Sequence, residues 1–283
     1  MSPRTAQVGF LHDALRASDA GAAESAALLL LSGGMPLVEL YDEVLRTFFA
    51  SLRADFESGI LGLVDEHLAS RAAAELVTLL GRRRMPWTAD GVGGSGRGCV
   101  VLGAVPREQH LLGSRMLGQV LQSRGWAVLL LDALPFDALA SYCSSLSERP
   151  AAIGLTLHSL SSTTSLRAGL TTLREGLPDV PVVLGGAALT EAPGLAAKVG
   201  AAAGAADLAA AVSAIELVTN PLTRRERQIL GLVAGGASNA QIASELSVHS
   251  STVKTHLEHV AGKLGTSDRT AAAVQGLRRG WID

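Results

Sequence analysis

From Cys99 onward the apolar residues of this chain change period, and that change decides what it can fold into. CVVLGAV (99–105), Trp126–Leu131, Ala152–Leu157 and Val180–Leu184 are short apolar runs of strand length, and a shorter fifth run lies near Ala201–Ala205. Strands buried on both faces have this composition. The segments between them predict helices: Gln109–Arg124, a stretch ending at Ser147, Ser165–Gly176, and another from about Thr190. Strands alternating with helices predict a parallel, doubly wound α/β sheet. Its ligand-binding edge is built from the loops after Val105, Leu131, Leu157 and Leu184, because open sheets bind at their carboxyl ends.

The residues before this sheet predict helices over 6–81. Leu11, Leu15 and the Ala/Leu run 22–31 form a first pair, closed by Ser32-Gly33-Gly34. Pro36 can open the next helix, since its missing N–H is harmless in a first turn. Leu37, Leu40, Tyr41, Val44, Leu45, Phe48, Phe49 and Leu52 then recur at spacings of three and four, an amphipathic stripe. After Ser58-Gly59 the spacing resumes with Leu61, Val64, Leu68, Ala72, Leu76 and Leu80. Helices of this kind make a bundle. The expected division is a bundle over 1–85, a Gly-rich linker over 86–98, the α/β domain over 99–217 and a last, all-helical domain over 218–283. The Gly-x-Gly spacing in the linker precedes a strand instead of following one, which argues against a nucleotide fingerprint.

Composition narrows the function classes. With 48% apolar and 4% aromatic residues among 283, the cores rest on Ala, Leu and Val. The start, MSPRTAQVGFLHDALRAS, has no secretory signal, and Ala26–Leu31 is too short to span a bilayer. A cytoplasmic protein with no membrane association is therefore expected, with Cys99 and Cys143 as reduced core thiols. The net charge of −2 hides an asymmetry. Residues 221–283 carry eight Lys/Arg against five Asp/Glu, or +3, while residues 1–220 carry sixteen against twenty-one, or −5. A basic tail on an acidic body suits a nucleic-acid-binding end.

The first loop of the sheet edge holds Glu108, His110 and Gly113 in the spacing E-x-H-x-x-G. A neutral imidazole is a metal donor whose other ring nitrogen needs a partner, and Glu108 is within reach of that role. Gly113 lets backbone approach a bulky ligand closely. With Thr156 after IGL and Gly185-Gly186 after VVL, the pattern resembles the cobalamin-binding domain of methionine synthase and its relatives over roughly residues 99–215. The resemblance implies a flavodoxin-like fold with His110 as the lower axial cobalt ligand, tuned by Glu108. It implies that Gly113, Thr156, Gly185 and Gly186 line the slot for the cofactor's nucleotide tail. His158 stands where relatives often have Leu, and is either a tail-packing residue or a half-exposed loop histidine.

In the bundle, Phe56, nine intervening residues and then Glu66-His67 resemble the helical cap of light-responsive repressors of the CarH type. That pattern is W-x9-E-H, with the Trp over the upper, adenosyl face of cobalamin. Phe56 replaces the Trp here. Glu57 stands where those repressors carry a histidine that takes the upper cobalt position after light, which leaves His67 or water for that place.

Residues 221–279 resemble the LuxR-type helix-turn-helix along nearly their whole length. Thr223 with Glu226 forms a capping box. Ile229, Leu230 and Val233 face the core, and Gly235-Gly236 stops the helix. Asn239–Leu246 is the support helix, Ser247-Val248-His249 the turn, and Ser250 or Ser251 the cap of a recognition helix ending near Leu264. Val253, Leu257, Val260 and Leu264 are its buried stripe. The amides and hydroxyls of its first turn, at Ser251 and Thr252, suit phosphate. The resemblance places Lys254, Thr255 and Glu258 in the major groove of double-stranded DNA, and the helix Arg269–Arg279 at a dimer interface. His256 and His259 are expected to pack or meet phosphate.

Together these readings predict a transcriptional regulator that is not an enzyme. It would sense cobalamin, with adenosylcobalamin the expected form and light a candidate signal, through a change in homo-oligomerisation to a dimer or tetramer. A phosphorylated receiver fits poorly, because Val105 and Leu157 end the strands where acidic residues are needed. A corrinoid methyl-transfer shuttle has no use for a DNA reader. A haem- or bilin-binding sensor on the same fold stays open.

Overall fold

A computed structural model describes residues 3–84, 97–159 and 163–282. The Gly-rich linker expected over 86–98 lies outside the described residues except for Arg97 and Gly98.

The chain begins with helices α1 (Pro3–Arg16) and α2 (Ala20–Ser32), the second capped by Asp19, whose side chain accepts from Ala22 N. A short α3 (Leu37–Glu39) runs into a π-helical turn, Leu40–Leu45, and on into α4 (Arg46–Glu57). Pro36 sits at the N-cap of α3, one residue earlier than a first-turn position. In the π turn the Arg46 amide reaches back to Tyr41 O, which inserts an extra residue into the helical register. Leu40, Tyr41, Val44, Leu45, Phe48 and Leu52 are all buried. The bundle closes with α5 (Leu63–Arg84).

The sheet contains β1 (Cys99–Ala104), β2 (Ala127–Leu130), β3 (Ala152–Thr156), β4 (Val182–Gly185) and β5 (Ala203–Ala205). All pairs are parallel and the order is 2-1-3-4-5, so the topology is the doubly wound, flavodoxin-like one expected. Its helices are α6 (Leu112–Ser123), α7 (Phe136–Ser145), α8 (Thr163–Gly176), α9 (Ala187–Glu191), α10 (Leu195–Val199) and α11 (Leu208–Val218). The helix expected from Thr190 begins instead at Ala187, because Gly186 at φ +108° turns the chain directly into it, and residues 192–194 then split it in two.

Strand alternation sorts the core. Val100 and Leu102 join the bundle residues, α6 and α11 in one apolar cluster, while Val101, Ile153 and Leu155 face α7, α8, α9 and α10 in a second. The bundle is therefore continuous with one face of the sheet. A third, separate core belongs to α12 (Arg224–Ala234), α13 (Asn239–Glu245), α14 (Ser250–Leu264) and α15 (Arg269–Arg279). Capping boxes at Thr223/Glu226 and Ser238/Gln241 start α12 and α13. The N-cap of α14 is His249, not Ser250 or Ser251, and no side chain bonds it. The His249 carbonyl, which accepts from Thr252 N and Val253 N, sets the start of that helix. Among the described residues no helix is long and apolar enough to cross a membrane.

Candidate functional site

Order 2-1-3-4-5 reverses direction between β1 and β3, so the loops leaving these strands diverge and open a crevice. The β1 loop is tied across that crevice by one carboxylate. Glu108 Oε1 accepts from Gln109 N at 2.9 Å, His110 N at 3.0 Å and His110 Nδ1 at 2.6 Å. Glu108 Oε2 accepts from His158 N, on the β3 loop, at 2.8 Å. Burial raises this carboxyl, but the bonds from the His110 and His158 amides, the His110 ring and the Gln109 amide outweigh it and hold the group at about 2. In a neutral imidazole this anion favours the proton on Nδ1, which leaves Nε2 as the acceptor nitrogen. Glu108 is 8% exposed and His110 69%, so a fixed base carries an open ring. His158 stacks on that ring, with centroids 4.3 Å apart and planes at 22°.

Next to this loop lies a cavity of about 360 Å³, lined mainly by apolar atoms. Thr156, Gly113, Gly185 and Gly186 all line it, with Ser114, Thr190 and Ile215 beside them. Gly186 is required by the fold, since a Cβ there would meet Leu157 O at 2.5 Å. A Cβ on Gly113 would meet nothing within 4 Å, and one on Gly185 only Ala205 O at 3.9 Å. Those two positions face space that a ligand can fill. The cavity also has walls that sequence reasoning missed: Tyr41, Asp42, Arg46 and Phe49 from the bundle, and Asp207 and Leu208 from the start of α11. Only the amphipathic stripe hinted at Tyr41 and Phe49, and nothing local marks Asp42.

Phe56, Glu66 and His67 do not line this cavity. Glu66 accepts from Ser70 Oγ, and Glu57 pairs with Arg53. Around them Ile60, Leu63, Val64 and Leu68 are exposed, Ile60 by 77%. Leu63, Val64, His67 and Leu68 share one face of α5 by their spacing. The exposed apolar side chains of α5 thus share a face with His67, and Phe56 is 41% exposed near the end of α4.

A second surface lies on α14. Ser251, Thr252, Lys254, Thr255 and Glu258 are exposed, while Val253, Val260 and Leu264 are buried and Leu257 partly so. Lys254 Nζ lies 3.8 Å from the Glu258 carboxylate. Beneath the helix, Glu226 accepts from Thr223 N and from Lys263 Nζ, both at 2.7 Å. Arg225 donates to Leu246 O, and Arg269 to Asn239 Oδ1 and Ala237 O, fixing the support helix. His256 is half-buried and His259 exposed. On α15, Val274 and Leu277 are exposed one turn apart.

The residues fit a metal that arrives already coordinated. Among the described residues no group of three or more His, Cys, Asp or Glu could hold a bare ion. A single oriented imidazole beside an apolar, glycine-edged cavity suits a macrocycle that brings its own equatorial ligands and a bulky side arm.

Comparison with known proteins matches both domains. Residues 98–215 match the B12 binding domain, and residues 220–275 match the bacterial regulatory proteins of the luxR family. The HTH-type transcriptional regulator MalT of Yersinia pestis is 50% identical over 60 residues, which are 21% of this chain and 7% of that one. The chain thus spans a small fraction of the curated relatives it matches. The monomethylamine corrinoid protein of Methanosarcina barkeri superposes with a TM-score of 0.59 at 16% identity, covering 73% of this chain and 96% of that one. That likeness shows the fold of the bundle and sheet together.

Proposed function

We propose that this chain, which joins a B12-binding domain to a LuxR-type helix-turn-helix, is a cobalamin-sensing transcriptional regulator and not an enzyme. The observation that carries the reading is the Glu108–His110 pair. A buried anion holds the exposed imidazole on the β1 loop, and Gly113, three residues further on, lines the cavity. His110 would hold the cobalt from below, Glu108 would hold the proton on Nδ1, and Thr156, Gly113, Gly185 and Gly186 would line the tail slot. His158 would keep the plane of the His110 ring by stacking on it. Phe56, Glu66 and His67 would cover the upper face. When bound, the cobalt supplies an exchangeable upper ligand, which is photolabile in the adenosyl form. Adenosylcobalamin and light are thus the expected cofactor and signal. Glu57, at the position where the resembling repressors carry a histidine, is paired to Arg53.

At the other end, Lys254, Thr255 and Glu258 would read base edges and Ser251 and Thr252 phosphate, helped by first-turn amides that no side chain caps. The exposed Val274 and Leu277 on α15 would pair copies of the chain, and a cofactor-dependent change in oligomer would set spacing on DNA. The proposed units are 1–85, 86–98, 99–217 and 218–283, in a cytoplasmic protein. A corrinoid carrier is the second reading, favoured by the fold likeness alone.

The test is titration with cobalamin, followed by absorption and by electron paramagnetic resonance of the cobalt(II) form. The wild type should show one protein-nitrogen splitting, and His110→Ala should lose it while keeping its circular dichroism. Selection from random duplex DNA, with and without cofactor, should yield one cofactor-dependent motif. A wild type that takes up no corrinoid, or selects no DNA, ends this reading.

A further inference from the structure

The tail cavity is not enclosed by the α/β domain. Its sheet side is Leu102, Gly154 and Val183, but its opposite wall is Tyr41, Asp42, Arg46 and Phe49 of the bundle. The π turn puts two consecutive side chains at this junction. Tyr41 OH donates to Gln119 Oε1, and Gln119 Nε2 donates in turn to Val77 O at 2.8 Å. Asp42 reaches α11 with both oxygens, accepting from Leu208 N at 3.0 Å and Ala209 N at 2.8 Å. Asp207 takes the next amide, Ala210 N, at 2.7 Å. Asp42, Asp207 and Leu208 all line the cavity, so this latch lies on its rim.

From this arrangement we infer that the helical cap reads the lower nucleotide of the corrinoid, through Asp42 and Phe49, independently of the upper ligand. The inference rests on the cobalamin reading above. A group seated in the cavity touches bundle and sheet at once, so its binding energy also holds the two together. By linkage, anything that loosens the cap must weaken the grip on that group by the same factor. The occupant that suits these walls is a flat, largely apolar base. Its ring meets Phe49 and the aliphatic side chains, and its polar edge meets Thr156 or Arg46. The extra residue of the π turn is then a device that aims Asp42 at α11 and Tyr41 at Gln119 in adjacent positions.

The experiment is a two-by-two cycle on the full chain: cobalamin against cobinamide, which lacks the lower nucleotide, and wild type against Asp42→Ala. Losing charge-assisted bonds should weaken cobalamin by about tenfold or more and leave cobinamide unchanged. Phe49→Ala, which leaves the latch intact, should show the same selectivity if Asp42→Ala folds poorly. Hydrogen exchange at the Leu208 and Ala209 amides should slow with cobalamin and not with cobinamide. Equal weakening of both corrinoids makes Asp42 a structural tie only and overturns the inference. So does equal wild-type affinity for the two, which would leave the cavity without its base. A wild type that binds neither corrinoid refutes the cobalamin reading itself.

Discussion

Replacing Glu108 by Gln removes the charge that ties the β1 and β3 loops while keeping the shape of the side chain. The size of the effect follows from the site. A carboxyl held at about 2, against an ordinary value of about 4.3, has its charged form stabilised by about 3 kcal/mol in the folded chain. Gln keeps one acceptor oxygen and presents an amide nitrogen in place of the other. That nitrogen must face either the His158 amide or the three donors at Gln109 and His110, donor against donor. A buried donor left unmatched costs about 1–3 kcal/mol. The expected loss is therefore about 2–3 kcal/mol, a fall of roughly 5–15 °C in the melting of the α/β part. The same change weakens the hold on the His110 tautomer, and altering such a partner lowers metal affinity about 10–100-fold. Calorimetry of the cofactor-free chain reads the first effect and a cobalamin titration the second. If Glu108→Gln melts with the wild type and binds cobalamin as tightly, the carboxylate neither staples the loops nor orients the ring.

Gly186→Ala places a Cβ 2.5 Å from Leu157 O at φ +108°, so it should destabilise by about 2–4 kcal/mol in urea, whereas Gly185→Ala should cost far less; equal costs would contradict the steric account. Lys254 is exposed, so Lys254→Ala should leave the melting temperature alone and weaken the selected DNA site by about 1–3 kcal/mol; unchanged affinity would remove Lys254 from the interface. Burial raises the Glu226 carboxyl, but the bond from Lys263 and those involving Thr223 outweigh it, so its titration lies below the usual carboxylate range. A depressed value stabilises the reader above the ordinary carboxylate pKa and loses that contribution as pH falls through the folded value. Glu226→Gln should flatten this acid limb in pH-dependent unfolding, and an identical limb in the variant would exclude Glu226 as its source.

What the sequence disclosed was whatever has a local period or a local partner. Val100 and Leu102 against Val101 already sort to two sheet faces, and the strand positions follow from such runs. Thr223 with Glu226 announces its helix because both halves of the capping box lie within four residues. Glu108 and His110 are two residues apart, so their pairing was legible too. The π turn was not, since apolar residues at 40, 41, 44, 45 and 48 satisfy an ordinary helix equally well. Its ties to Gln119 and Leu208 lie 78 and 166 residues away. The Ser250-Ser251 pair suggested a hydroxyl cap, but the backbone of His249 begins α14 one residue earlier. After Gly185-Gly186 a helix was expected only from about Thr190, yet it starts at Ala187 because the positive φ of Gly186 makes the turn in a single residue. His158 left two readings open, tail packing or a half-exposed loop histidine; it is exposed and stacks on His110, a relation set by where two loops emerge from the sheet.

These long-range ties converge on α11. Coupling between a cofactor and a DNA reader needs a physical element that both can bias. The first amides of α11 are held by Asp42 of the cap. Its middle, at Ala211 and Ile215, forms a wall of the cavity. Near its end, Glu216 pairs with Arg97 at 3.1 Å and Arg124 at 3.2 Å. Arg97 packs where a side chain on Gly280, the residue that ends α15, would overlap its guanidinium. Two residues past α11, Asn220 accepts from Leu222 N and donates to Trp281 O, beside the same end of α15. Eleven residues, a rod of about 16 Å, therefore touch cap and cavity in turn and end two residues before Asn220, which bonds Trp281. Surface ion pairs such as those of Glu216 are individually weak, about 0–1 kcal/mol. Those pairs tie the end of α11 to Arg97 and to Arg124 of α6, while the latch at its other end is charge-assisted and partly buried. A displacement of the cap would reach α11 first through the two Asp42 bonds at its first turn.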